Sequence, residues 1–147
     1  MDAPRRDGVR SFGLLILRLG VGGLMAAHGW GKVLTAKSGD LSKWRDPLEI
    51  GHELSFYAAT AAEFGGAILV MIGLATRFSA AAVAFTMGVA AFVAHRNDPL
   101  LMGAGASKEP AILFMVPFLA LVFTGAGLFS VDAALCRRRQ ERRAARP

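Results

Sequence analysis

The sequence predicts an all-α membrane protein, a four-transmembrane-helix bundle with both termini cytoplasmic. The 147-residue chain is 54% hydrophobic with a mean hydropathy of +0.43, which is too apolar for a soluble globule. It has four apolar stretches of about the length needed to cross a ~30 Å hydrocarbon core. Its basic residues gather near the two ends of the chain, as they do on the cytoplasmic flanks of membrane spans.

The four predicted helices account for most of the chain. They lie at about residues 12–34, 54–76, 78–95 and 110–131, and a basic tail follows over residues 136–147. The sequence shows no internal repeat and no low-complexity linker, so residues 1–147 are predicted to form a single membrane domain.

Local signals indicate where two of these helices begin. Asp46, Pro47 and Glu49 resemble an N-cap, a first-turn proline and a capping-box glutamate, so the second helix is expected to begin outside the bilayer. Glu109 and Pro110 are typical of the first turn of a helix and open the fourth stretch.

The first stretch also has features of a cleaved signal peptide. A basic start and an apolar run precede the small residues Ala26 and Ala27, as they would at a cleavage site. However, Arg18 interrupts the run and the run continues beyond that site. This pattern favours an uncleaved helix.

The distribution of charge predicts the topology. The loop over residues 35–53 has three basic and four acidic residues, a net charge of −1, and the loop between the third and fourth stretches is neutral. The ends of the chain are basic, with the arginines Arg5, Arg6 and Arg10 before the first stretch and Arg137, Arg138, Arg139, Arg142, Arg143 and Arg146 in the tail. Both termini are therefore expected in the cytoplasm, and both loops outside. Trp30, Trp44 and Tyr57 then fall near the outer headgroup layer.

Two functional classes are disfavoured by the same composition. Nucleic-acid binding requires basic residues interleaved with aromatics on a folded surface, whereas here they lie in short tails. Cys136 is the only cysteine, so the chain cannot form an internal disulfide, a redox pair or a thiolate metal cage. Any dithiol chemistry would come from a partner protein.

Arg18 and Glu63 are the most informative residues, because an ionisable group within a span is costly and needs a partner. Arg18 is expected about 9 Å from one edge of the core and Glu63 about 14 Å from the other. An arginine side chain can bridge the remaining difference in depth, which makes an Arg18–Glu63 ion pair feasible. The alternative is that the two residues only tie the first and second helices together.

Helical periodicity places further polar residues beside these two. One face of the first helix carries Arg18, Met25, His28 and Lys32, and one face of the second carries His52, Phe56, Glu63 and Gly66. The two stripes are expected to face each other, so Glu63 could also accept a hydrogen bond from His28.

The three histidines allow a cofactor interpretation. His28, His52 and His95 each fall near the outer end of a different predicted helix, and imidazoles from facing helices bind haem or metal in some bundles. The sequence has no close histidine pair and no other ligand at metal spacing, so no metal site is assigned and haem or metal is less favoured than a quinone.

Four short motifs resemble the DoxX family. They are Leu17-Arg18-Leu19-Gly20, His28-Gly29-Trp30-Gly31-Lys32, Ala62-Glu63-Phe64-Gly65-Gly66 and Gly73-Leu74-Ala75-Thr76-Arg77. The resemblance extends over all four predicted spans, from about Phe12 to Val131.

The resemblance implies a small multi-pass protein of the bacterial inner membrane with four helices. Some members are described as subunits of thiosulfate:quinone oxidoreductase, and others as membrane partners of enzymes that handle oxidative and thiol stress. More distant relatives are cargo receptors or assembly chaperones. The motif residues carried over to this chain are Arg18, His28, Lys32, Glu63 and Arg77.

We therefore interpret the chain as a redox-associated membrane subunit with a polar pocket between the first and second helices, opening toward the outer half of the membrane. Arg18, Lys32 and His52 are the expected ligand-binding residues, for a quinone headgroup or a small anion. Glu63 and His28 are the expected catalytic residues, which would handle protons. Lipid and other protein subunits are the expected partners, and self-association is left open.

The alternative interpretation is a non-enzymatic membrane adaptor or chaperone. In that case the outer loops would hold another protein, and the buried arginine and glutamate would be structural.

The topology can be tested by labelling cysteines in intact cells with a membrane-impermeant reagent. A cysteine placed at Ser38 should be modified, whereas native Cys136 should be spared because it lies on the cytoplasmic side. The reverse labelling pattern would contradict the predicted orientation.

Overall fold

The computed structural model describes residues 3–39, 41, 44–103 and 105–144. Asp40, Lys43 and Arg146, which contribute to the charge pattern, lie outside the described residues. Every regular element in the described ranges is helical. The helices are α1 (Ala3–Ser38), α2 (His52–Ile72), α3 (Thr76–Ala94), α4 (Glu109–Thr124) and α5 (Val131–Ala144).

Three of these helices are long and apolar enough to cross a membrane. The apolar parts are Asp7–Lys37 of α1, His52–Ile72 and Thr76–Ala94, whereas α4 is apolar but shorter, with 16 residues. At 1.5 Å per residue, α4 is about 24 Å long against a hydrocarbon core of about 30 Å. The all-helical, membrane-type architecture expected from the sequence is thus confirmed.

Glycines in the left-handed region end two helices earlier than hydropathy predicts. α2 ends at Ile72 rather than at residue 76, because Gly73 has φ 73° and ψ 41°. α4 ends at Thr124 rather than near residue 131, because Gly125 and Gly127 have φ 73° and 74°. The apolar residues that follow Gly125 form an irregular segment, which hydropathy alone cannot distinguish from helix.

The predicted capping box before α2 is wrong. The Asp46 carboxylate accepts hydrogen bonds from the backbone amides of Ile50 at 3.2 Å and Gly51 at 2.6 Å, and it closes a turn rather than capping a helix. α2 starts only at His52, after Gly51 with φ 100°. At the other end of the bundle, α1 begins at Ala3, nine residues before the predicted start.

Two helices contain a π-helical turn, Ala61–Gly66 in α2 and Ala90–Ala94 in α3. A π turn inserts extra backbone into the helix and rotates the residues within it, and such turns are frequent at functional sites. The turn in α2 includes Glu63.

The first four helices form a closed ring, in which each packs on its neighbours in chain order and α4 returns to α1. Small residues permit close approach between α1 and α2. A Cβ at Gly29 would lie 2.7 Å from the Phe64 amide nitrogen, and one at Gly22 would meet Met71. Since the lower residue number on α1 meets the higher one on α2, the two helices are antiparallel.

The core of the ring is apolar, and so is much of its outer surface. Met25, Val70, Val83, Phe118 and Leu121 are completely buried in the core. Many large apolar side chains point outward instead, including Leu24, Phe78, Phe85, Leu113 and Phe123, which are 63–80% exposed. An outer surface of this kind is stable only in contact with lipid or another apolar partner.

The bundle has two different ends. We call the end formed by the turn 73–75, the segment 125–130 and α5 the arginine-rich end. The opposite end, with residues 44–51 and 95–103, is the loop end.

The close contact at Gly29 predicts a position-specific effect of adding one methyl group. Gly29→Ala should lower the free energy of unfolding by about 1–3 kcal/mol, since the new Cβ meets backbone atoms of α2 that cannot rotate away. Gly31→Ala is the matched control, because nothing lies within 4 Å of its Cβ position. Denaturant titration in detergent micelles measures both, and equal effects of the two substitutions would contradict the packing described here.

Candidate functional site

Toward the loop end, three side chains from α1 and α2 meet, and we call them the lysine–glutamate site: His28, Lys32 and Glu63. Glu63 is 1% exposed, and its Oε1 is in direct contact with the Lys32 ammonium group. The His28 Nε2 lies 3.5 Å from Glu63 Oε2, and the His28 side chain is 56% exposed. The site therefore joins a buried carboxylate to a ring that reaches the surface.

The position of Glu63 follows from the local structure of α2. Glu63 lies in the π-helical turn and is followed by Gly65 and Gly66, of which Gly66 lies against Val83 of α3. On the other side of the turn, Gly29 of α1 contacts Phe64. Both neighbouring helices thus approach this turn closely, and the carboxylate is held in the interior facing α1.

An aromatic residue from the loop covers the lysine. The Lys32 Nζ lies 5.1 Å from the centroid of the Trp44 ring, and Trp44 packs edge-on against Phe56 at 5.0 Å. The Lys32 side chain is only 16% exposed as a result. The sequence placed Trp44 in the headgroup layer, and no pattern in the sequence indicated that its ring lies over Lys32.

One carboxylate oxygen at this site is left without a hydrogen bond. Among the described residues, Glu63 Oε2 is buried and has no donor within hydrogen-bonding geometry. A buried acceptor without a donor normally costs about 1–3 kcal/mol. This oxygen lies 3.5 Å from His28 Nε2.

His52 and His95 lie apart from the site. His52 Nδ1 is hydrogen-bonded to the Trp44 carbonyl at 2.6 Å, and the residue is exposed at the start of α2. His95 Nδ1 is paired with Asp98 at 2.7 Å. Within the described ranges, no three histidine, cysteine, aspartate or glutamate side chains lie close enough together to hold a metal ion.

Arg18, expected beside Glu63, lies at the arginine-rich end instead. It is completely buried, and its Nη2 donates a hydrogen bond to the Phe129 carbonyl at 2.6 Å. Its guanidinium group lies so close to Gly73 that any side chain there would overlap it. In the described part of the chain, Arg18 Nε and Nη1 have no hydrogen-bond acceptor.

The predicted Arg18–Glu63 pair is therefore wrong, and the helix register gives the reason. Since Gly29 opposes Phe64, Glu63 lies opposite about residue 30 of α1. Arg18 is about twelve residues away along the helix, or about 18 Å, which exceeds the reach of its side chain. Periodicity had placed Lys32 and Glu63 on faces that do meet, but it gave neither the relative depth of Arg18 and Glu63 nor the position of His52.

Asp132 provides the opposite charge near Arg18. Its carboxylate accepts hydrogen bonds from the amides of Ala75 at 2.8 Å and Thr76 at 3.0 Å. Burial by itself would raise the pKa of Asp132, but these two amides and the nearby Arg18 charge outweigh it, so the pKa lies below its ordinary value. Asp132 is thus ionised at neutral pH and fixes the start of α5 to the turn between α2 and α3.

A well-defined depression also lies at the arginine-rich end. It has a volume of about 530 Å³ and lies between the start of α3, the end of α4 and the base of α5, and its wall includes Thr76, Arg77, Gly125 and Ser130. A cavity had been expected between His28, Lys32 and Glu63. At that position, Lys32 and Glu63 are in direct contact.

A model of the DoxX family matches residues 13–96 of the chain. The chain belongs to the DoxX family. The matched range covers more than half of the chain and includes Arg18, His28, Lys32, Glu63 and Arg77, the residues that suggested the family. It also includes α1 from Gly13 onward and all of α2 and α3, whereas α4 and α5 lie beyond it. No curated protein and no solved structure matches the chain.

Double-mutant cycles should identify Lys32, not Arg18, as the partner of Glu63. Glu63→Gln or Lys32→Gln alone should cost about 3–5 kcal/mol of unfolding free energy, because each leaves a buried charge unpaired. The effects of Glu63→Gln and Lys32→Gln on the unfolding free energy should be coupled by about 0.5–3 kcal/mol. The effects of Glu63→Gln and Arg18→Gln should instead be additive to within about 0.5 kcal/mol. Lys37→Gln, at an exposed position on α1, is the matched control. Strong coupling between Arg18 and Glu63 would contradict the register.

Proposed function

We propose that this DoxX-family protein is the membrane subunit of a redox complex, and that its lysine–glutamate site exchanges protons with a quinone headgroup or a small anion. The observation that carries the proposal is the buried Glu63 oxygen, which lacks a hydrogen bond and faces the exposed ring of His28 at 3.5 Å. Such a carboxylate within a membrane helix is a favourable place for proton transfer.

The roles of the three side chains follow from their contacts. Glu63 would hold or release a proton at Oε2, and the exposed imidazole of His28 would pass it to the surroundings. Lys32 balances the charge of the carboxylate, so the buried pair is neutral overall. Arg18 and His52, which the sequence suggested as ligand-binding residues, are not part of this proposal because they lie away from the site.

A quinone would supply the electron transfer that the chain's own side chains do not. The chain has a single cysteine, Cys136, on α5, so its thiol cannot form an internal disulfide. Electrons would therefore enter from a partner protein and leave through the quinone, or the reverse. A hydroxyl of the reduced headgroup would donate a hydrogen bond to Glu63 Oε2, and a quinone carbonyl would accept one only when Oε2 carries the proton.

The proposed orientation places the lysine–glutamate site in the outer half of the bacterial inner membrane. This orientation assumes that α4 is the fourth membrane-spanning helix and that the residues after Thr124 span the rest of the hydrocarbon core. Charge asymmetry supports this arrangement, since α5 carries five exposed arginines whereas the predicted loops are neutral or slightly acidic.

A membrane adaptor is the second candidate, and one observation favours it. Leu100, Leu101 and Met102, in the segment between α3 and α4, are 59%, 70% and 63% exposed. Consecutive exposed apolar residues in a loop are typical of a protein-docking surface. In that case, the Lys32–Glu63 contact beneath Trp44 would be a structural tie between helices.

Co-purification distinguishes the two candidates. The protein is purified from native membranes in mild detergent, extracted with organic solvent, and examined by its absorption spectrum. Wild type should carry quinone, and Glu63→Gln and His28→Gln should carry several-fold less, because both remove groups that would contact the headgroup. Glu53→Gln is the matched control, since Glu53 is an exposed glutamate on the same helix. An extract without quinone, together with a retained protein partner, would overturn the redox proposal and support the adaptor.

A further inference from the structure

The arginine-rich end presents a second surface that the proposed redox role does not use. All residues of α5 from Leu135 to Ala144 are exposed. These residues include one glutamate, Glu141, and the five arginines Arg137, Arg138, Arg139, Arg142 and Arg143. So much charge of one sign on a folded element favours a polyanionic partner.

The base of α5 is fixed to the bundle. The Asp132 amide donates a hydrogen bond to the Gly73 carbonyl at 2.9 Å, and the Asp132 carboxylate accepts from the amides of Ala75 and Thr76 at the start of α3. The Ser130 hydroxyl caps α5 by accepting from the Ala133 amide at 3.1 Å. The arginines are therefore held near the edge of the bundle rather than on a free tail.

Apolar side chains at this end indicate the depth of the arginines in the membrane. The rings of Phe78 and Phe123 are 80% and 78% exposed, and Leu135 in α5 is 45% exposed. These groups require acyl chains around them. Since the arginines begin two residues after Leu135, they lie where the apolar surface ends, at the level of lipid headgroups.

The depression beside α5 carries a positive balance of charge. Arg77, on its wall, is exposed and donates to the Phe123 carbonyl at a long 3.3 Å. Among the described residues of the wall, Asp132 is the one carboxylate, but its oxygens are already bonded to two amides and the buried Arg18 charge lies nearby. An anion placed there would therefore face Arg77 with little repulsion, and the arginines of α5 begin four residues after Ala133 on its wall.

We propose that α5 and this depression bind the phosphate groups of anionic phospholipids in the cytoplasmic leaflet. Arginine pairs with phosphate oxygens through two parallel N–H donors, which suits a headgroup phosphate. The exposed Phe78 and Phe123 rings flank the same region, and they favour a lipid over a soluble polyanion because they offer contact to its acyl chains. Basic pockets at the cytoplasmic ends of membrane helices bind lipid headgroups in this way.

The native cysteine allows a direct test on the full-length chain. Cys136 is exposed on α5 and is the only cysteine, so it accepts a single environment-sensitive fluorophore. The labelled protein is placed in nanodiscs of phosphatidylcholine alone or of phosphatidylcholine mixed with phosphatidylglycerol. Quenching by acrylamide, a neutral aqueous quencher, should be several-fold weaker with phosphatidylglycerol. Raising the salt from about 0.1 M to about 1 M should restore the quenching, because the screening length falls from about 10 Å to about 3 Å.

Three variants separate charge from folding. Replacing the five α5 arginines with glutamine should abolish the protection by phosphatidylglycerol, because the positive charge is removed. Replacing them with lysine should retain most of the protection, because the charge is kept. Glutamine and lysine are both good helix formers, so α5 should stay helical in both variants. Arg96→Gln combined with Lys108→Gln, in the segment between α3 and α4, is the control that should leave the protection unchanged.

Each contrary result overturns the proposal in a different way. Equal quenching in both lipid mixtures would mean that α5 does not recognise the lipid charge. Protection by inorganic phosphate in phosphatidylcholine nanodiscs alone would assign the surface to a free anion. Protection by an added acidic polypeptide but not by phosphatidylglycerol would assign it to a protein partner.

Discussion

The contact between Lys32 and Glu63 fixes how α1 lies against α2, and the other features of the bundle follow from that register. A glutamate in the middle of an apolar helix must meet an opposite charge, and a buried charge without a partner is far more costly than the pair. When Lys32 reaches Glu63, Gly29 falls on Phe64 and Gly22 on Met71, where only glycine permits such close approach. The ion pair thus contributes specificity of packing more than net stability.

Much of the fold could be predicted from the sequence, because the residue types directly give the length of each apolar stretch and the ionisable residues within it. The helix register could not, since periodicity assigns a residue to a face but not to a depth. The depth of each side chain in the membrane had been inferred from the ends of the apolar stretches. However, α1 begins nine residues before the predicted start. The π-helical turn that carries Glu63 was not predicted from the sequence either, and α1 and α3 both approach it closely, at Gly29 and Gly66.

The partners of Arg18 were beyond prediction for a related reason. Its hydrogen-bond acceptor is the backbone carbonyl of Phe129, and any residue type supplies a carbonyl. The two residues are 111 positions apart, and they meet only because Gly125 and Gly127 end α4 and turn the chain back over α1. The family match includes Arg18 and Gly73 but ends before Phe129, so the contact joins the matched region to the segment beyond it.

Buried and exposed charges are arranged differently in this bundle. This difference explains how a chain with a net charge of +6 can have an apolar interior. The buried groups are arranged with compensating charges, since Lys32 contacts Glu63 and Arg18 lies near Asp132. The surplus lies on the exposed arginines of α5, outside the apolar interior. The interior is neutral but not fully satisfied, because Glu63 Oε2 and two nitrogens of Arg18 have no hydrogen-bond partner among the described residues. Arg18 lies against Gly73, whereas Glu63 Oε2 lies 3.5 Å from His28, whose side chain is 56% exposed, and the proposed proton exchange at Glu63 depends on this difference.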